Sequence, residues 1–409
     1  MFLALGLISV NVTTMQGFYR DQLSESWIPH DTRDKQLALH DATKCQTGAP
    51  LLLINATVNL HGYPNDGARS KTERYLLSPL FVGSERVGFQ STSSFFNGKY
   101  TLGDATAISA AAVSPVAHGN VLSRALLVVL NLRLGQWLPR PNQEARTRPI
   151  LDYPMPHRLL WEHLSKSPEE RSFLFVTDGG HHENTGIESL LVRRCRVIIA
   201  ADFSEDPDYA FADFRKLCLR ACETLGITLR QDKCFPLDSL IPDPTTKEVK
   251  AHLALFEIDY PPQNATRGEH TPDSHDNKGW LILLKPGLSG DEPAGLRECR
   301  RDFSQFPHDP TGDQLFEESR FMAYRQLGEH LGDELFRFLN TGGDTRGQDV
   351  SRDRDDILWL SQHWAPAPNV KAESQAAGQT TGQVAVDTQA DSPGTVRPVT
   401  SPSTIEAAC

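Results

Sequence analysis

The chain has no uninterrupted apolar run long enough to span a bilayer, which takes about 20 residues. Its apolar opening stretch, residues 1–10, is too short, and it lacks the basic start and small-residue cleavage site of a secretory leader. That stretch reads either as a buried strand or helix or as the end of a longer membrane-associated region. Cysteine is scarce: the seven (Cys45, Cys195, Cys218, Cys222, Cys234, Cys299, Cys409) are odd in number and include no Cys-x-x-Cys spacing. A disulfide framework is therefore excluded, and the thiols fit a reduced, intracellular setting. Cys218 and Cys222 share a helix face, so with Cys234 they form a conceivable metal clip, but a buried helix over 211–225 accounts for them more simply. No His-Glu-x-x-His and no acidic calcium loop occur, and adjacent His181 and His182 point in different directions. No metal and no cofactor is expected. Basic charge is also short, with Lys+Arg 41 against Asp+Glu 52, a net charge of -11 and a pI near 5.7. Nucleic acid is thus not an expected partner. Arg193-Arg194-Cys195-Arg196 reads as cations complementing the carboxyl end of a helix.

What is present is a globular composition, 39% hydrophobic, in a chain long enough for a large core. Three regions are expected: an apolar start and connector over 1–47, a folded portion over 48–364, and a low-complexity tail over 365–409 that buries too little apolar area to order. Strands are expected at Pro50–Val58, at Tyr75–Val82 with a bend or sheet edge forced by Pro79, at Ala251–Tyr260 and at Trp280–Lys285. The last two are expected to form a hairpin on a sheet edge. Gly88–Gly103 reads as a loop, and Gly135 to Pro139 as a helix stop. Helical spacing marks 106–113, 122–134, 209–225 and 316–338, with a short helix near 159–164.

The densest signal is Phe173-Leu-Phe-Val-Thr-Asp178-Gly179-Gly180, followed by Asn184-Thr185-Gly186, an apolar helical turn at 187–191 and a second apolar run closing at Asp202. Strand, glycine turn, helix and strand make the repeating unit of a parallel α/β sheet, in which functional groups lie just beyond the carboxyl ends of strands. Asp178 is at that position. An ordinary Asp-Gly turn is the plainer alternative.

This pattern resembles the patatin-like and cytosolic phospholipase superfamily. Pro50 to Gly62 and Thr106-Ala-Ile-Ser109-Ala-Ala-Ala-Val-Ser114-Pro115 are similar to two further segments of that family, in its order. The resemblance implies an α/β fold with a mainly parallel central sheet flanked by helices. It also implies a lipid acyl hydrolase with a Ser-Asp dyad, acting on a phospholipid or other acyl-ester lipid, cytoplasmic or at a membrane surface. Asp178 would be the dyad's base, with Gly179, Gly180 and Asn184 supporting its turn. The family's Gly-x-Ser-x-Gly and its glycine-rich oxyanion loop do not precede Asp178, so the sheet is expected to be incomplete on its amino-terminal side. The nucleophile would then lie on a longer isoform or another chain. Two serines are candidates to substitute: Ser289, in Gly287-Leu-Ser289-Gly290 after an apolar strand, and Ser109. A non-catalytic lipid- or protein-binding relative, or an inactive fragment, is the alternative.

Overall fold

In a computed structural model, the first six strands form one sheet, in which short turns join the second strand to the third and the third to the fourth. The structure describes residues 11, 15–27, 37–42, 50–60, 71–111, 134–141, 172–262, 277–310 and 317–340, all within one compact unit spanning 1–361. The expected tail, the helices at 122–134 and 159–164, and the opening stretch lie outside the described residues.

Strands β1 (Ile54–Asn59), β2 (Thr72–Leu77), β3 (Phe81–Ser84), β4 (Gly88–Ser91), β5 (Gln136–Pro139) and β6 (Phe173–Asp178) form a sheet in the order β4-β3-β2-β1-β6-β5. Every pair in it is antiparallel. The run with Pro79 is two strands joined by a turn, with Ser78 Oγ accepting from Phe81 N at 3.0 Å, and β2 is interior to the sheet. The expected loop after Gly88 begins with edge strand β4, and the expected helix stop at 135–139 is edge strand β5. At that edge Gly135 N donates to Gln16 Oε1, and Trp137 exchanges both backbone bonds with the Asn11 carboxamide, all at 2.9 Å.

Helix α1 (Gln16–Trp27) lies within the region 1–47 expected to hold an apolar start and connector. It lies against α2 (Leu102–Ser109), where Arg20 pairs with Asp104 at 3.2 Å. A capping box sets the start of α2, with Thr101 Oγ1 accepting from Asp104 N at 3.0 Å and Asp104 Oδ2 accepting from Thr101 N at 3.2 Å. Its Gly103 lets Ser24 and Arg20 of α1 approach closely, while Ala105 and Ile108 pack into the core with the strands. Val58, Tyr75, Leu77, Ile108, Leu138 and Val176 share the core there.

After β6 come α3 (Ile187–Val192) and β7 (Val197–Ala201). Then follow α4 (Ala212–Arg220), β8 (Thr228–Gln231), β9 (Leu253–Asp259), β10 (Lys278–Leu284), α5 (Ala294–Asp302) and α6 (Glu318–Asn340). The second sheet runs β7-β10-β9-β8, and only β7 with β10 is parallel. The β9–β10 hairpin is therefore its centre, not its edge. Both faces are covered: Leu281 and Leu283 pack under α3 and α4, while Trp280, Ile282 and Leu284 pack with α5 and α6. Two-sided burial explains why β10 reads as an unbroken apolar run.

The expectation of a mainly parallel sheet is corrected on this point. Strand β6 belongs to the first sheet and β7 to the second, so the Asp178 segment carries the chain between sheets. Apolar content alone does not distinguish two parallel neighbours from one strand in each of two layers. Among the described residues, no helix is long and apolar enough to cross a membrane.

Candidate active site

Asp178 is the last residue of β6 and stands opposite Ala56 of β1. The chain then turns sharply, and Gly180 N donates to Asp178 Oδ1 at 2.6 Å. The turn is pressed onto β1 by Thr57 Oγ1, which donates to Gly179 O at 3.1 Å. A side chain at Gly179 would put its Cβ 2.6 Å from the Asn55 carbonyl oxygen, and one at Gly180 would meet Asn184 Oδ1 at 2.7 Å. Close approach of the β1 backbone at Gly179 and of the Asn184 and Asp178 side chains at Gly180, rather than an unusual torsion, is what favours these two glycines. Gly186 does require its left-handed φ of 74°, at the start of α3.

The turn opens on a cavity of about 430 Å³ lined by Asp178, Gly179, Gly180 and Asn184 together with Asn55 and Ser109. Five residues picked out by sequence therefore share one pocket. Partial burial raises the Asp178 carboxyl above its ordinary pKa, opposed by the Gly180 N–H and by His181. Tyr19 of α1 is shifted upward by burial and by the Asp178 charge, and its hydroxyl donates to Ala110 O at 3.1 Å. Asn184 does not bond the carboxylate: its Nδ2 donates to Asp213 Oδ2 at 3.2 Å, tying the turn to α4.

The turn's other side chains are divided among separate partners. His181 Nδ1 lies 2.9 Å from Thr177 Oγ1, and Glu183 accepts from Thr185 N at 2.5 Å. His182 lies 3.3 Å from Glu188, which also binds Arg74 of β2 at 3.2 Å and Arg220 of α4 at 3.1 Å. Burial opposes the charge on Glu188, but these partners outweigh it and lower its pKa to about 2. At the end of β7, Asp202 binds the fully buried Lys285 at 3.1 Å, so it serves as a counter-ion.

The two candidate serines differ in location. Ser109 ends α2, and its Oγ donates to Asn55 O at 2.7 Å. Ser289 lies on the loop after β10 and is not among the residues lining the pocket. Its Oγ donates to Asp291 at 2.6 Å and Glu292 at 3.0 Å, within its own loop. Sequence reasoning missed Asn55, whose backbone receives Ser109, whose Oδ1 accepts from Ser189 Oγ, and whose carbonyl abuts Gly179. An amide inside an apolar strand run was the available signal.

No family model and no curated protein sequence matches the chain. Among solved structures it is similar to human GIVD cytosolic phospholipase A2 at 15% identity and a TM-score of 0.39, over 69% of this chain and 42% of that one. That is a distant likeness, and the chemistry of the pocket stands on its own geometry.

Proposed function

We propose that the Asp178 pocket is the base-bearing part of an acyl-ester hydrolase site of the phospholipase or lysophospholipase type. The observation that supports this reading is a carboxyl of raised proton affinity at a strand end, held by a glycine amide at 2.6 Å beside a cavity of about 430 Å³. In that chemistry a serine attacks the ester carbonyl while the carboxylate takes its proton, then returns it to the leaving alcohol. Upward displacement of a carboxyl pKa toward neutrality improves such proton transfer. The substrate class is an acyl-ester lipid, met at a membrane surface.

The attacking serine is not identified among the described residues. Ser109 shares the cavity, but it ends its helix, where carbonyl oxygens gather, and a tetrahedral oxyanion needs N–H donors. A non-catalytic lipid-binding pocket is the second reading. It is favoured by the commitment of the Ser109 hydroxyl to Asn55 O and of the Gly180 N–H to Asp178.

The test is hydrolysis of lysophosphatidylcholine and of a short-chain p-nitrophenyl ester by the full chain, with fluorophosphonate labelling read by mass spectrometry. Activity abolished by Asp178→Asn supports the base role, and hydrolysis unchanged by that substitution refutes it. Lipid binding without hydrolysis or labelling favours the second reading.

A further inference from the structure

Away from the Asp178 pocket, three residues from two elements that pack with the second sheet bring nitrogen and oxygen donors together. The loop after β10 supplies Asp291 and Glu292, α6 supplies His330, and one ligand atom from each lies within 4.8 Å of the others. His330 Nε2 is 3.4 Å from Asp291 Oδ1. Two ligands each about 2.0 Å from a tetrahedral zinc ion are about 3.3 Å apart, so that pair already has the spacing of a shared ion.

An independent observation comes from the residue just before β9. The His252 side chain is fully buried, and its Nδ1 is held by Glu334 at 2.8 Å, one helical turn beyond His330 on α6. Its Nε2 has no hydrogen-bond partner and lies 4.0 Å from Glu292 Oε1. A buried imidazole with one nitrogen fixed by a carboxylate and the other left open toward further donors is how metal-ligating histidines are oriented. Glu292 is itself buried, and Gly290 N donates to its Oε2 at 3.0 Å, which fixes the carboxylate's direction.

We propose that His252, Asp291, Glu292 and His330 bind a divalent transition-metal ion of the zinc class, with Glu334 orienting His252. Two neutral imidazoles and two carboxylates balance the charge of a divalent ion and suit its borderline character. The ion would join the start of β9, the exit of β10 and α6. The ligands are spread over 78 positions of sequence, so no short motif announces them.

Titration of the metal-free full chain with Zn²⁺ alone, followed by calorimetry, tests this. Co²⁺ substitution separates a nitrogen and oxygen site from the exposed thiols. One equivalent is expected to bind and raise the Tm, and the Co²⁺ adduct is expected to show tetrahedral ligand-field absorption without thiolate charge transfer. Asp291→Asn changes an exposed side chain and leaves the fold intact. It and His330→Ala should weaken binding at least about 100-fold, and Glu334→Gln, which touches no ion, about 10–100-fold. Cys222→Ser and Cys234→Ser should change nothing. Thiolate bands, or wild-type affinity in Asp291→Asn and His330→Ala, would overturn the assignment.

Discussion

Glu188→Gln is expected to destabilise the protein by an amount that depends on pH in a defined way. Glu188 is 8% exposed and is surrounded by His182, Arg74 and Arg220, which lower its pKa from the ordinary 4.5 to about 2. That fall corresponds to about 3 kcal/mol between the two states of the carboxyl. Because the folded carboxyl holds its proton more weakly than the unfolded one, the stabilisation is complete above about pH 5. It then falls to about 1.5 kcal/mol at pH 3 and about 0.4 kcal/mol at pH 2. Glutamine keeps the shape and an acceptor oxygen, so the comparison isolates the charge. Urea unfolding of both proteins, followed by tryptophan fluorescence from pH 7 to pH 2, should give two stability curves that converge as the pH drops. A gap that stays constant across this range, or that is below about 1 kcal/mol at pH 7, would refute the account of how the arginines hold α3.

Two further outcomes concern the turn. Burial raises the Asp178 pKa, so its charge opposes folding at neutral pH; Asp178→Asn should raise the Tm at pH 7 and leave it unchanged near pH 2, by calorimetry. Gly179→Ala drives a Cβ to within 2.6 Å of the Asn55 carbonyl, and backbone on both sides leaves no flexible group to yield. A loss of about 1–3 kcal/mol in urea unfolding is expected, and a neutral result would show that β1 and the turn separate easily.

Much of the local structure was legible. The strand ending at Asp178, the turn after it and the long amphipathic helix α6 follow from periodicity and glycine placement, because these depend on near neighbours. Strand pairing followed only in part: the β9–β10 hairpin was legible, but its place at the centre of its sheet was not. The assignment of β6 and β7 to different sheets is set by which apolar faces meet across the layers, and both strands carry the same kind of residues. Strand β4 and the edge strand β5 were hidden for a different reason: four-residue strands rich in Gly, Ser or Pro look like loops, and only a partner strand gives them order. The pocket was half visible. Asp178, Gly179, Gly180 and Asn184 are contiguous or nearly so, whereas Asn55 and Ser109 reach it only through the β1–β6 register and the capped start of α2. The His252, Glu292 and His330 group is farther out of reach, since no two of its elements are adjacent in the chain.

The border formed by β5 has a consequence for association. Along that strand the outward amides fall at 135, 137 and 139: the first is bound by Gln16, the second by Asn11, and the third position is a proline with no N–H at all. Among the described residues, a visiting strand would therefore find no free main-chain donor along this rim. Two carboxamides from the segment preceding β1 do the work of a seventh strand, and they prevent copies of the protein from stitching together rim to rim.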